Sequence, residues 1–213
     1  LNIKMTNNKK YFLINEADEY YKRNRDKKIN FKNDFLCKAI ENDLKKIKTK
    51  KINFLEIGCG DAQRLFYLKE KFPHINFFGI DPSKEAIKSK KKINIKLLRS
   101  TAEKLPFRNS FFDIIVYGFC LYLVDDQDLI KVVSEADRVT KRKSLIVIYD
   151  FYKKKLIYRK YKHKRKIYIR KMDYSKMFSW LPGYKILKFQ KKLYPGKKDD
   201  FLSLVKIKKE IIK

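Results

Sequence analysis

Three short clusters in the 213-residue chain combine residue types that could do chemistry. Gly58 and Gly60 flank Cys59 directly after the β-branched and aromatic run Ile52 to Ile57, with Glu56 two residues before the first glycine. Glycines at that spacing let the backbone turn tightly and let a ligand approach the main chain with no side chain in the way. Asp81 closes the next apolar run, Ile75 to Ile80, where a carboxylate can accept both hydroxyls of a ribose. A dinucleotide loop would need a third glycine at position 63, which is Gln, and no Gly-Lys-Ser/Thr sequence of a P-loop follows. The third cluster, Tyr117 to Tyr122, follows an apolar run, and Asp150 ends another. Together with His163, an imidazole that could take a proton from a hydroxyl at neutral pH, Tyr122 and Asp150 are the catalytic candidates. The alternatives are ordinary: a solvated His163, a packed Tyr122 and a turn-forming Asp150 at a strand end.

The elements that must position these groups alternate in type. Strand-like runs at 52–57, 75–80, 93–98, 111–117 and 143–149 are separated by helical patterns at 62–72, from Ser83 to about Lys91, and from Asp126 or Asp128 to about Thr140. That alternation is the pattern of a parallel sheet covered on both faces, which places ligands at the carboxyl ends of its strands. Two helical segments precede it between Lys9 and Lys48. After Asp150 regular pattern is lost until Tyr184 to Tyr194 and Phe201 to Lys208, an antiparallel pair joined at Pro195-Gly196. The expected organisation is one domain over 1–213. It has a helical cap at 1–50, a cofactor-binding core at 51–150, a basic insertion at 151–182 and a strand pair at 183–213.

The motifs are similar to those of class I S-adenosylmethionine-dependent methyltransferases. Phe54-Leu55-Glu56-Ile57-Gly58-Cys59-Gly60 resembles their first motif, and Gly79-Ile80-Asp81-Pro82-Ser83 their second, acidic one. Ala102-Glu103-Lys104-Leu105-Pro106-Phe107 with Ser110-Phe111-Phe112-Asp113 resembles the AExLPF…SFD segment of the small-molecule, UbiE-like branch. Leu121-Tyr122-Leu123 stands where that branch often has Leu-His-His. The resemblance implies an α/β, Rossmann-like fold: a mostly parallel seven-stranded sheet with a C-terminal antiparallel hairpin. It implies S-adenosylmethionine as cofactor, with Glu56, Gly58, Cys59 and Gly60 around the methionine part and Asp81 and Pro82 at the ribose. Thr101, Ala102 and Glu103 would border the adenine, and Tyr117 completes the set. Two positions depart from the family: Ala62 replaces the last glycine of the first motif, and Thr101 replaces the usual Asp. A shorter resemblance, Met172 to Phe178, is to methyltransferases of bacterial surface-polysaccharide gene clusters, and implies a sugar or sugar-nucleotide acceptor.

Composition narrows the remaining classes. Cys37, Cys59 and Cys120 are dispersed and the only histidines are His74 and His163, so no metal site is expected. No apolar run approaches the roughly 20 residues of a membrane span, and Leu1 to Lys10 lacks the pattern of a secretory signal, so a cytoplasmic protein is expected. The net charge of +30 accompanies abundant Asn, Ile, Phe and Tyr, as a genome of low GC content would produce. Lys153 to Lys171 stands apart, being rich in Lys and Arg, interleaved with Tyr and Ile, and free of acids. Methyl transfer to a small molecule is therefore expected. The alternatives are an RNA-directed enzyme gripping phosphates through that stretch, and a non-catalytic binding protein of the same fold. Against the former, Tyr117-Gly118-Phe119-Cys120 holds no Asn/Asp-Pro-Pro-Tyr motif of base-amino methyltransferases.

Overall fold

The computed structural model describes residues 7–27, 29–47, 51–89 and 94–210. The expected features at 1–6, 48–50 and 90–93 lie outside them. The chain begins with a helix in three parts: Asn8–Tyr11 (α1), a π-helical turn Phe12–Glu16, and Ala17–Asn24 (α2). Helix Phe35–Leu44 (α3) follows, its first turn closed by Asp34, whose carboxylate accepts the Cys37 N–H at 2.8 Å.

Next come β1 (Asn53–Ile57), α4 (Gln63–Lys71), β2 (Asn76–Asp81), α5 (Lys84–Lys88), β3 (Lys96–Arg99) and β4 (Phe112–Gly118). Ser83 starts α5 by accepting the Ala86 N–H at 3.0 Å. Short 3-10 turns at Leu121–Leu123 and Asp126–Asp128 lead into α6 (Leu129–Val139) and then β5 (Thr140–Tyr152). The chain continues through β6 (Ile157–Lys160), β7 (Tyr168–Lys171) and α7 (Lys176–Ser179) to β8 (Tyr184–Leu193) and β9 (Phe201–Lys209).

Seven strands form one sheet in the order β3-β2-β1-β4-β5-β9-β8. The pairs among β1 to β5 are parallel and β9 pairs antiparallel with both neighbours. This is the Rossmann-like sheet with the C-terminal antiparallel hairpin expected from the motifs. Strand β4 shows why: Ile114 and Val116 face one core, with α3 and α4, while Ile115 and Tyr117 face the other, with α6 and α7. A strand buried on both faces needs apolar residues at successive positions, which is how central parallel strands read.

The stretch after Asp150 corrects the expectation of irregular chain. Strand β5 runs on to Tyr152, and β6 and β7 pair antiparallel as a separate two-stranded sheet, Ile157 opposite Lys171 through Lys160 opposite Tyr168. The inward residues, Tyr161 and Ile167, are buried at the turn, and Arg170 and Lys171 are buried too. Two of these four buried positions are therefore basic, which hid the apolar pattern that marks a strand.

Candidate functional site

The site is built where strand order reverses, between β1 and β4. The turn after β1 is fixed by the Gly58 and Cys59 N–H groups, which both donate to the Ile80 carbonyl, at 2.9 and 3.0 Å. Gly58 has φ +76°, and a Cβ there would meet the Cys120 Cβ at 2.6 Å, so only glycine fits. Gly60 has φ +55° with nothing within 4 Å of a Cβ, leaving open space above the loop. Ala62, where the family has glycine, also takes a left-handed conformation, φ 62°, and caps the start of α4.

Asp81 closes the loop from the β2 side. Its two oxygens accept one N–H each, from Ser83 at 2.8 Å and Gly60 at 2.9 Å. Each oxygen keeps lone-pair capacity for a further donor. Removal from water pushes its carboxyl up to about 6, with the two N–H bonds acting the other way.

Beneath the loop lies a buried ion pair. Glu56, 1% exposed, accepts from the Arg64 guanidinium, which also approaches Asp34 at 3.9 Å. The second Glu56 oxygen and the Arg64 Nε have no hydrogen-bond partner, so the pair keeps one unused acceptor and one unused donor. Burial pushes the Glu56 carboxyl up, opposed by Arg64. Gly118 makes room for the pair, since a Cβ there would lie 2.9 Å from both charged groups.

A cavity of about 390 Å³ opens over these residues. Gly58, Cys59, Gly60, Asp81, Pro82, Thr101, Ala102 and Glu103 all line it, so eight of the residues named from sequence come together. Thr101 donates to Glu103 at 2.7 Å, and Lys9 reaches the same carboxylate at 2.6 Å. The opposite wall is the N-terminal helix, including Phe12, Tyr20, Tyr21 and Asn24.

That helix is fastened to the site. Asp125 accepts the N–H groups of Asn8 and Lys9, at 2.7 and 3.0 Å, satisfying two donors at the helix start. Asp18 accepts from the Ser83 hydroxyl at 2.6 Å and the Glu85 N–H at 3.0 Å, beside Asp81.

Five residues named from sequence stand elsewhere. Glu56 lies under the loop, where Arg64 lines the cavity in its stead. Tyr117 is wholly buried within the core, its hydroxyl without a hydrogen-bond partner. Asp150 is wholly buried and accepts N–H groups of Leu121, Phe151 and Tyr122 at 2.8, 2.7 and 3.4 Å. Burial pushes its carboxyl up to about 7, against those three bonds. Tyr122 is buried against Phe119 and Phe151. His163 is exposed beyond β6, its ring 5.4 Å from that of Tyr161.

Sequence reasoning missed Arg64, Lys9, Asp125 and Asp128 as parts of the site. Arg64 is the second residue of α4 and reaches Glu56, eight residues before it, and that spacing was a usable signal. Lys9 had none, being one lysine among many. No group of three or more potential metal ligands occurs among the described residues. No helix among them is long and apolar enough to cross a membrane.

Comparison with known proteins agrees with this geometry. Residues 55–148 match the family described as a methyltransferase domain. The chain is 34% identical to the demethylmenaquinone methyltransferase of Thermotoga maritima over 98 residues, 45% of this chain and 41% of that protein. It is 43% identical over 60 residues to the ubiquinone/menaquinone biosynthesis C-methyltransferase UbiE of Coxiella burnetii, covering 28% of this chain and 23% of that protein. The chain thus spans less than half the length of these curated relatives.

Among solved structures, an S-adenosylmethionine-dependent methyltransferase of Methanosarcina mazei superimposes with a TM-score of 0.63 at 17% identity, over 80% of this chain and 98% of that one. The 1,6-didemethyltoxoflavin-N1-methyltransferase of Burkholderia thailandensis, solved with its substrate and S-adenosylhomocysteine, gives 0.72 at 12% identity, over 99% and 94%. The fold is that of the Rossmann-like, class I methyltransferases. More particularly, residues 55–148, from β1 to β5, are similar to the methyltransferase domain, and the relatives matched over this segment are quinone-biosynthesis methyltransferases.

Proposed function

We propose that the protein transfers a methyl group from S-adenosylmethionine to a small acceptor that carries an anionic group, such as a sugar nucleotide. In the bound cofactor the sulfonium supplies an already activated methyl donor. The protein's task is then to hold donor and acceptor in line, which can lower a barrier by roughly 7–11 kcal/mol. Asp81, with lone-pair capacity left on both oxygens, suits the two ribose hydroxyls. Arg64, which lines the cavity and is held from beneath the loop by Glu56, suits the carboxylate of the methionine part. Thr101 and Glu103 border the adenine side.

The observation that carries the acceptor class is the fate of the four cations on the cavity wall. Lys9 is held by Glu103 and Asp128, and Arg64 by Glu56. Among the described residues, Arg25 has only its exposed neighbour Asp26, at 3.5 Å, and Lys27 only the Asn24 amide oxygen, at 2.6 Å. Two cations are thus available for an acceptor's phosphate or carboxylate. Both lie outside residues 55–148, so the quinone-type acceptors named for the relatives are not carried over with the family match. The Lys153 to Lys171 stretch, read from sequence as a phosphate holder, contributes no residue to the cavity wall.

Mass spectrometry of mixtures containing S-adenosylmethionine and a panel of sugar nucleotides, neutral sugars and a demethylquinone tests this. A methylated sugar nucleotide is expected. Arg25→Ala and Lys27→Ala should each raise KM for it about 10- to 100-fold with kcat little changed, the loss of one charge-assisted hydrogen bond. Methylation of the neutral quinone alone, indifferent to both substitutions, would overturn the acceptor class and leave the cofactor assignment standing.

A further inference from the structure

Charge outside the cavity is distributed very unevenly. From Lys153 to Lys198 the sequence has eighteen Lys and Arg residues and one acid, Asp173. The fold gives partners to a few. Arg170 pairs with Asp126, Lys171 and Arg159 share Asp200 at 2.9 and 3.2 Å, and Lys153 donates to the Asp199 carbonyl. The bonds to Asp199 and Asp200 also tie the base of the β6–β7 hairpin to the turn between β8 and β9. The hairpin tip is different: Lys162, Arg165 and Lys166 are exposed, Lys164 half-buried, and none has an ion-pair partner among the described residues.

Strand β8 continues the same character along the sheet edge. It has one neighbour, β9, and is exposed along almost its whole length. Leu187 is 52% exposed and Leu193 50%, between the exposed Lys185, Lys188 and Lys191. An apolar edge strand is a liability in water, and lysines placed along it oppose pairing with another strand. Exposed leucine and phenylalanine among lysines are also the composition of surfaces that lie in the headgroup region of a bilayer.

We propose that the hairpin tip and the β8 edge dock the protein onto an anionic lipid surface, beside the wall of the cavity. The position follows from the packing of the hairpin on the N-terminal helix. The Tyr161 ring lies 6.2 Å from that of Phe12, which lines the cavity, and its hydroxyl accepts from Arg23 at 3.3 Å. Three observations favour lipid over RNA. Two of the hairpin's three tyrosines are engaged rather than free to stack on bases: Tyr158 donates to Asp126 at 2.7 Å and Tyr161 is buried. The exposed cations are mostly Lys, which acts as a point charge, where bidentate phosphate recognition would favour Arg. The apolar side chains of β8 have no role against a phosphate backbone, whereas a headgroup layer accommodates them. This docking is independent of the acceptor's identity.

Flotation of the full chain with vesicles tests it. Phosphatidylcholine alone should bind little, and vesicles with about one-third phosphatidylglycerol should bind strongly, less so as salt is raised. Reversing the tip, Lys162→Glu with Lys164→Glu, Arg165→Glu and Lys166→Glu, should lower partitioning by about a hundredfold or more. A control with Lys84→Glu, Lys88→Glu, Lys96→Glu and Arg142→Glu has the same net charge and should bind nearly as the parent does. Retained binding of S-adenosylhomocysteine by both variants certifies their folding. Failure to bind anionic vesicles, equal loss in both variants, or tip-dependent capture of polyuridine in preference to vesicles would overturn the proposal.

Discussion

The loop after β1 and the β6–β7 hairpin use charge in opposite ways. At the loop charges are few and enclosed: Glu56 is paired with Arg64, and Asp81 is held by two N–H groups. At the hairpin they are many, and those at the tip are mostly exposed and have no ion-pair partner among the described residues. Removing a partner from an enclosed group leaves a desolvated charge, which costs several kcal/mol, whereas an exposed surface charge contributes about 0–1 kcal/mol. The first region is therefore bound to its geometry, and the second is free to be shaped by whatever meets it.

The contrast is sharpest in the glycines. Gly58→Ala must place a Cβ 2.6 Å from the Cys120 Cβ in a left-handed conformation, and should cost about 2–4 kcal/mol of stability together with cofactor binding. Gly196, in the β8–β9 turn, has φ +72° and nothing within 4 Å, so Gly196→Ala should cost only about 1 kcal/mol. Urea unfolding of both variants measures the difference. Equal costs would break the comparison, because they would mean that the loop after β1 is no more constrained than a surface turn.

An effect of a different kind, visible only as a dependence on pH, is expected at Asp150. Its carboxyl sits at about 7 in the fold, above the value of about 3.9 expected in the unfolded chain. Between those values the native state holds a proton that the unfolded chain has lost, so stability declines as pH rises from about 4 to about 7. Asp150→Asn should remove that decline, and urea midpoints at pH 4.5 and 8 measure it. An unchanged slope would show that Asp150 ionises freely and is not the enclosed group that the three N–H bonds describe.

These two regions were also unequally legible in the sequence. The strand-helix alternation and the Gly58, Gly60 and Asp81 positions were readable because backbone geometry restricts which residues can stand there. The hairpin was not, because Arg170 and Lys171 fill packed positions where an apolar residue would have marked a strand. Lys9 and Asp125 were hidden for a related reason. Their role depends on the N-terminal helix meeting the turn after β4, more than a hundred residues away, and no local spacing records that contact.

The central claim is that the cavity above Gly58 to Gly60 holds S-adenosylmethionine with Asp81 on its ribose. Calorimetric titration of the purified protein with S-adenosylhomocysteine, at pH 8 and pH 5 and beside Asp81→Ala, tests it most directly. The account predicts micromolar-range binding at pH 8 that weakens below about 6, as Asp81 takes up a proton, and that Asp81→Ala abolishes. Folded wild-type protein that binds no S-adenosylhomocysteine at either pH would contradict it.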